Sequence, residues 1–251
     1  MPIEKNKKAW NIAAPHFYGE GVLPTWGALG EGSDSPNLIG EIEGKIFLEL
    51  GCGSGHSIKY LLENGATKVY GIDFSEKQME FAKELNRVAI DEGSVELICS
   101  SMEMKNNQLV GIVDTVFSVY GVGWAQDLDK TLENVFSYIK PDGRFIFSFE
   151  NPLFTRSLYN KETGNISLDG SPYEDYTKKL DNWFGTDAIV TCRLASTWIN
   201  AAIRHGFVLI RYLEPRPMFV NTEVTDLVTY YDWEKAQKIP PIFIMEFKKL
   251  Q

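Results

Sequence analysis

Three closely spaced glycines, Gly51, Gly53 and Gly55, stand out in the stretch FLELGCGSGHSIKYL at residues 47–61. The residues before them are mostly apolar, as in a buried strand, and the residues after them have helical spacing. A glycine-rich turn between a strand and a helix lets the backbone approach a ligand and points helix N–H groups at it. The stretch therefore predicts a turn that holds a cofactor.

The spacing of the glycines separates two kinds of cofactor. The dinucleotide fingerprint is G-x-G-x-x-G, but here His56 occupies the third glycine position and Gly55 comes one residue early. Glu49 also places a carboxylate where a dinucleotide would bring its pyrophosphate. S-adenosylmethionine has no phosphate and carries a sulfonium and an ammonium group, which a carboxylate suits. We therefore predict S-adenosylmethionine, with an NAD-dependent oxidoreductase as an alternative.

Asp73 ends a second apolar stretch, in YGIDFSEKQ. It follows the first glycines by about 20 positions, where a carboxylate can accept hydrogen bonds from both ribose hydroxyls. Proteins that bind NAD and proteins that bind S-adenosylmethionine share this feature. Asp73 thus indicates a nucleoside without choosing between the two, and Phe74 is a candidate for packing on adenine.

An alternation of strand and helix patterns from Lys45 onward must position these residues, and it predicts an α/β fold with a mostly parallel sheet. A turn is predicted at KPDG (140–143), and a helix that Gly206 ends is predicted within 196–206. The predicted strands are KIFLEL (45–50), KVYGID (68–73), VELIC (95–99), IVDTVFSVY (112–120), RFIFSFE (144–150), FVLIRYLEP (207–215) and IPPIFIMEFKK (239–249).

Two segments of this single domain of residues 1–251 fall outside the alternation, namely residues 1–44 and residues 151–194. The second reads as a polar loop, and loops of this length in compact domains are usually functional. Ligands bind outside the carboxyl ends of the strands in such a sheet, where the insertion emerges. We predict that both segments form one cap over the site. Trp10, Tyr18 or Trp26 would face the reacting group, opposite insertion aromatics drawn from Phe154, Tyr159, Tyr173, Tyr176 and Trp183.

The motifs LELGCGSG, YGIDFSEKQMEFAKE and YIKPDGRFIFSFENP occur in order. Together they resemble the class I S-adenosylmethionine-dependent methyltransferases, in particular small-molecule enzymes similar to those of ubiquinone biosynthesis. The resemblance implies a Rossmann-like sheet of seven strands with the last antiparallel and helices on both faces. It also implies cofactor contacts from the turn with its Cys52, from Asp73 and Phe74, from Ser101 and Met102 beside adenine, and from the Ser118 and Val119 carbonyls.

One position departs from the family pattern. An acidic residue that bonds the adenine amino group is common in the family at the position of Ser101, so Ser101 or Glu103 must substitute for it. In-line methyl transfer needs a general base only when the acceptor has to lose a proton. The candidates for such a group are Tyr18, His16 and Glu150, and the attacking atom is left open.

The composition narrows the functional class. The net charge is −9, which disfavours nucleic acid as a partner because such binders usually carry a basic face. Three scattered cysteines and three lone histidines offer no metal-ligand spacing and fit a reducing cytoplasm. No apolar run is long enough to span a membrane. The prediction is a cytoplasmic methyltransferase for a small molecule, with a non-catalytic S-adenosylmethionine-binding protein as the second alternative and the oligomeric state open.

Overall fold

The computed structural model describes residues 2–19, 23–32, 38–218 and 231–250. In these ranges the strands are β1 (Ile46–Leu50), β2 (Lys68–Asp73), β3 (Val95–Cys99), β4 (Val113–Val119), β5 (Ile139–Glu150), β6 (Ser157–Tyr159), β7 (Ile166–Leu168), β8 (Tyr176–Trp183), β9 (Thr186–Cys192), β10 (Phe207–Leu213) and β11 (Ile242–Lys249). The helices are α1 (Pro2–Phe17), α2 (His56–Glu63), α3 (Glu76–Leu85), α4 (Arg87–Asp91), α5 (Leu128–Tyr138), α6 (Pro152–Arg156), α7 (Ala195–Arg204) and α8 (Trp233–Ala236).

Seven strands form one sheet in the order β10-β11-β5-β4-β1-β2-β3. The pairs among β1 to β5 are parallel, and β11 runs antiparallel to both of its neighbours. The predicted Rossmann-like sheet with an antiparallel last strand is therefore confirmed. The central strands β1 and β4 are almost wholly buried, because apolar clusters cover both faces of the sheet. This burial fixes the carboxyl ends of the parallel strands at one edge.

The predicted KPDG turn is instead a bulge within β5. That strand begins at Ile139, directly after α5 ends. Its pairing with β4 shifts between Val113, opposite Ile139, and Thr115, opposite Arg144, so extra residues project from the ladder. Asp142 takes a φ of 63° there, a left-handed conformation that aspartate tolerates better than most residues. The Asp-Gly pair therefore interrupts the strand without ending it.

The insertion at 151–194 is ordered rather than a loop. It contains α6 and two antiparallel hairpins, one formed by β6 and β7 and the other by β8 and β9. Most of its strand residues are exposed or half-buried, so they lack the apolar alternation that usually reveals a strand. The hairpin of β8 and β9, hereafter the β8–β9 hairpin, is the part that approaches the cofactor turn.

Helix α1 lies between the β8–β9 hairpin and α3. The Asn6 amide donates to the Ile189 carbonyl at 2.7 Å and accepts from the Ile189 N–H at 2.8 Å. Farther along the helix, Asn11 Oδ1 accepts from the Ser75 hydroxyl at 2.7 Å. The small side chains of its buried face, Ala9, Ala13 and Ala14, allow this close approach. One helix thus touches both the hairpin and the start of α3.

Trp26 does not face the site, contrary to the prediction. Only 1% of its surface is exposed, and it packs in an apolar cluster with Phe47, Leu61 and Ile244. The physical reason is that a large apolar ring gains more by completing the core on this face of the sheet than by covering a cavity. The described residues before β1 therefore contribute to the core as well as to the cap.

Replacing Asn6 with alanine should loosen α1 from the hairpin. The variant loses two hydrogen bonds and leaves both backbone groups of Ile189 without these partners, so we expect the free energy of unfolding in urea to fall by about 2 kcal/mol. Asn64→Ala is the matched control, since its amide makes one exposed bond to the Tyr60 carbonyl, and it should change stability by less than about 0.5 kcal/mol. Equal losses in the two variants would contradict this role of Asn6.

Candidate functional site

A side chain at each glycine of the turn would meet different neighbours. Gly51 has a φ of 70°, and a Cβ there would lie 2.7 Å from the Cα of Gly121. Gly55 has a φ of 78°, and a Cβ would lie 2.7 Å from Nδ2 of Asn86, which itself bonds the Gly55 carbonyl. A Cβ on Gly53 would meet only Gln78, at 3.7 Å. Gly51 and Gly55 therefore shape the turn, and Gly53 is open toward a ligand.

Asp73 connects this turn to the beginning of α3. Its Oδ2 accepts from the Gly53 N–H at 3.0 Å, and its Oδ1 accepts from the Ser75 N–H at 2.8 Å. Burial raises the pKa of Asp73 to about 6, although these N–H groups oppose the rise. Asp73, which is predicted to bind the ribose, thus also holds the backbone around it.

A cavity of about 970 Å³ extends from the turn to the cap. Its cofactor end, defined as the part next to the turn, β2 and β3, includes seven residues predicted from the sequence. These residues are Gly51, Gly53, Asp73, Phe74, Ser101, Met102 and Val119. Cys52, Gly55, Glu49 and Ser118 are not among the described lining residues, so their predicted contacts would have to be indirect or through backbone atoms.

Three buried polar atoms around the turn lack a hydrogen bond of good geometry within the described ranges, namely Oε2 of Glu49, Oγ of Ser57 and Oε1 of Gln78. Burial raises the pKa of Glu49 well above its usual range; the nearby Ser57 hydroxyl opposes this rise, and Asp73 adds to it. A cationic ligand above the turn would offset the cost of burying the Glu49 carboxyl, as an ammonium or a sulfonium does. The Glu49 carboxyl and the Gln78 amide therefore fit S-adenosylmethionine.

Gln78 lines the cavity, and sequence reasoning missed it. It belongs to the buried face of α3 with Met79 and Ala82. A polar residue within the apolar stripe of a helix was the available signal.

The charges at the cofactor end disfavour a dinucleotide. Asp73 and Glu103 are the charged residues that the described part of the chain contributes to this end, while Lys178 and Lys179 come from the β8–β9 hairpin. A pyrophosphate would therefore lie beside carboxylates without a compensating cation, at an electrostatic cost.

Ser101 and Glu103, the two predicted substitutes for the acidic residue that bonds adenine, differ in their hydrogen bonds. Oε1 of Glu103 accepts from the N–H groups of Gln126 and Asp127 at 2.6 and 3.1 Å, so this carboxylate organises the loop before α5. The Ser101 hydroxyl accepts only a long bond, at 3.3 Å, from the Glu103 N–H. Of the two predicted substitutes, Ser101 has the less committed side chain.

Ser118 links the strands beneath the cavity through its hydroxyl. Its hydroxyl donates to the Leu50 carbonyl at 2.6 Å and accepts from the Val122 N–H at 2.8 Å. These bonds join the ends of β1 and β4, while Val119 reaches the cavity. The predicted contact from the carbonyls of Ser118 and Val119 stays a prediction.

Of the three candidates for a general base, one lines the cavity and two do not. His16 stacks against Phe184 with ring centroids 4.7 Å apart, and Tyr18 packs on Phe81 at 4.8 Å. Neither is among the described lining residues, because the His16 ring packs on the hairpin and the Tyr18 ring packs on α3. Glu150 does line the cavity, and it accepts a hydrogen bond from the Tyr231 hydroxyl at 2.8 Å.

Aromatic rings close the cavity opposite the turn. Trp10 contacts Trp124 at 5.1 Å and Trp183 at 5.0 Å between ring centroids. Phe17 and Phe184 extend this group, which we call the aromatic lid. Of the insertion aromatics predicted to cover the site, Trp183 lies here, whereas Tyr173 is 87% exposed and Phe154 is buried elsewhere. The cap is therefore formed by α1, the β8–β9 hairpin and the short segment that holds Trp124.

The described residues contain neither a metal-binding cluster nor a membrane-spanning helix. No group of three or more potential metal ligands occurs there. No helix in those ranges is long and apolar enough to cross a membrane.

Comparisons with known proteins agree with this geometry. Residues 48–147 match the family described as a methyltransferase domain. A crystal structure from Listeria monocytogenes, assigned to the S-adenosylmethionine-dependent methyltransferases, aligns with a TM-score of 0.72 and 26% identity. The alignment covers 89% of this chain and 98% of that one.

Two curated proteins extend the comparison. An uncharacterised protein of Haemophilus influenzae is 28% identical over 86% of this chain and 85% of its own length. A malonyl-[acyl-carrier protein] O-methyltransferase of Coxiella burnetii is 34% identical over 108 residues, which are 43% of this chain and 42% of that enzyme. The chain thus matches less than half the length of this named enzyme.

The affinity for S-adenosylhomocysteine should depend on the protonation of Asp73. A protonated carboxyl must lose its proton to accept both ribose hydroxyls, so affinity should fall about tenfold per pH unit below about pH 6. Asp73→Asn should bind more weakly and should lose this dependence. Isothermal titration calorimetry between pH 5 and 8 measures both effects.

The neighbouring carboxyl provides the control for this titration. Glu49→Gln leaves Asp73 in place and should retain the fall near pH 6. If Asp73→Asn keeps the wild-type pH profile, Asp73 is not the group responsible.

Proposed function

We propose that this chain, which belongs to the class I S-adenosylmethionine-dependent methyltransferases, transfers a methyl group to a small molecule held beneath the aromatic lid. The observation that carries the proposal is the continuous cavity from the glycine turn to that lid. Its volume of about 970 Å³ lies at the upper end of the range for small-molecule pockets, about 300–1,000 Å³. An acceptor that must share this space with the cofactor is small.

The net charge supports an acceptor other than nucleic acid, and the cysteines support a cytoplasmic location. The net charge of −9 and the acidic cofactor end disfavour a nucleic-acid acceptor, because phosphates would be repelled. Cys52, Cys99 and Cys192 are all free thiols, which suits a reducing cytoplasm.

The residues of the chain align the reactants and exclude water. The cofactor supplies an electrophilic methyl group on a sulfonium. Asp73 and the Gly53 backbone orient the nucleoside, and the rings of Trp10, Trp124 and Trp183 shield the reacting end from solvent. Such positioning is a large part of catalysis when the cofactor carries the reactive carbon.

The relatives leave the acceptor atom open. One named relative is a malonyl-[acyl-carrier protein] O-methyltransferase and another a ubiquinone biosynthesis O-methyltransferase, while geranyl diphosphate C-methyltransferase is a neighbour in fold alone, at 13% identity. Because these acceptors differ, the acceptor of this chain has to be found by experiment.

S-adenosylmethionine with a tritiated methyl group, incubated with the protein and with fractionated cell extract, should deliver its label to a small-molecule product that chromatography separates from S-adenosylmethionine itself. Trp183→Ala opens the aromatic lid and should reduce transfer at least tenfold. Its affinity for S-adenosylhomocysteine should stay within threefold of wild type, because Trp183 comes from the cap. Scintillation counting of the fractions and calorimetry measure the two effects.

A matched control is Tyr173→Ala, since Tyr173 is an aromatic residue of the same insertion that is 87% exposed and is not among the described lining residues. It should leave both quantities unchanged. Label in protein or nucleic acid instead of small molecules would contradict a small acceptor. Binding of S-adenosylhomocysteine without transfer to any fraction would favour the non-catalytic alternative.

A further inference from the structure

Three residues form a polar wall at the sheet edge of the cavity, apart from the charged residues Lys178, Lys179 and Asp181 that the β8–β9 hairpin contributes. Glu150 ends β5 and Tyr120 follows β4, and the Tyr120 N–H donates to the Ser148 carbonyl at 3.1 Å, so the two residues are neighbours at the sheet edge. Tyr231 is the third member, and all three line the cavity. We call them the polar wall.

The polar wall adjoins the cofactor turn directly. Gly121, the residue after Tyr120, packs so closely on Gly51 that a Cβ on Gly51 would lie 2.7 Å from its Cα. A group bound at the polar wall is therefore next to the ligand that the turn holds.

Tyr231 holds the Glu150 carboxylate in one orientation. Its hydroxyl donates to Oε1 at 2.8 Å. The ring is 6% exposed and is fixed by two other rings, stacking on Phe154 at 6.2 Å and meeting the edge of Tyr120 at 6.2 Å. Because the ring is packed on both sides, the hydrogen bond constrains the carboxylate rather than the tyrosine.

Tyr120 brings a second phenol to the polar wall. Its hydroxyl is buried and lies within reach of the Tyr231 hydroxyl and the Ala28 backbone. Its backbone takes a φ of 59°, a strained conformation for an aromatic residue that is found mostly at functional sites. Burial, with Glu31 and Glu150 nearby, raises the pKa of Tyr120 well above its usual range. It is therefore a neutral phenol that can donate a hydrogen bond.

We infer that the polar wall receives the hydroxyl of a neutral aromatic acceptor, with Glu150 as the group that takes its proton. This inference rests on the proposed function. The acceptor donates its O–H to the Glu150 carboxylate, which the Tyr231 hydroxyl holds in place. The aromatic lid packs on the ring of the acceptor, since Trp10, Trp124 and Trp183 line the other side of the same cavity.

The atoms and charges of the step balance. The acceptor oxygen forms a bond to the methyl carbon as the sulfur–methyl bond breaks, and the electron pair of that bond stays on sulfur and neutralises the sulfonium. The acceptor proton passes to the Glu150 carboxylate and then to solvent. Glu150 is the catalytic residue in this scheme, and Tyr231 is a positioning residue.

Two naphthalenes test the polar wall without knowledge of the natural acceptor. The wild-type protein, saturated with S-adenosylhomocysteine, should bind 2-naphthol about tenfold more tightly than 2-methoxynaphthalene, because only the first donates a hydrogen bond to a carboxylate. Calorimetry gives both dissociation constants. In Glu150→Gln the preference should fall at least threefold, and the difference in ligand size cancels in this comparison of ratios.

The other variants separate positioning from packing. Tyr231→Phe keeps the ring and removes the bond to Glu150, so it should also lower the preference while S-adenosylhomocysteine binds normally. Asp181→Asn is the matched control, since Asp181 is another carboxylate that lines the cavity but lies on the β8–β9 hairpin. The preference in this variant should equal that of wild type.

The outcomes separate this inference from the proposed function. Failure of the wild type to bind S-adenosylhomocysteine would contradict the proposed function itself. Normal binding of that product with no preference for 2-naphthol, with an unchanged preference in Glu150→Gln, or with no binding of either naphthalene, would overturn the inference alone.

Discussion

The site depends on the buried carboxylate of Asp73. One oxygen holds the turn through Gly53 and the other holds the start of α3 through Ser75. These bonds join two loops that follow neighbouring parallel strands, β1 and β2. A charge that burial makes costly is stabilised by backbone N–H groups, and the same charge faces the cavity. The side chain that supports the backbone is therefore also the one predicted to bind the ribose.

Neighbouring groups extend the same principle. Glu49 and Gln78 each keep a buried oxygen without a partner in the described part of the chain, and such atoms lower the stability of the ligand-free protein. A site that is costly when empty gains more from a ligand that supplies the missing partners. Part of the stability that the ligand-free protein loses by burying these oxygens is therefore regained when a ligand binds.

Much of the sheet and of the cofactor end could be predicted because local patterns determine them. β1 to β4 have apolar runs bounded by turn residues, and the glycines and Asp73 lie at their carboxyl ends, so seven of the predicted site residues reach the cavity. The cap could not be predicted in the same way. Its hairpins are exposed on most positions, and hydrophobic periodicity detects only strands that bury one face.

Two of the three candidates for a general base could not be placed for a related reason. Residue type suggested His16 and Tyr18, but tertiary packing at the end of α1 decides whether their rings face the cavity, whereas Glu150 lies at the carboxyl end of β5 and does line it. Tyr120 and Tyr231 carried no motif at all. They come together because β4, β5 and the segment before α8 meet at one edge, which is a property of topology rather than of spacing.

The position of α1 has a consequence for the order of events in turnover. Asn6 bonds the β8–β9 hairpin, and Asn11 bonds Ser75, whose N–H bonds Asp73. A single helix therefore contacts both ends of the cavity. If α1 moves aside when S-adenosylhomocysteine or the methylated product leaves, the departure of one would change the rate at which the other dissociates.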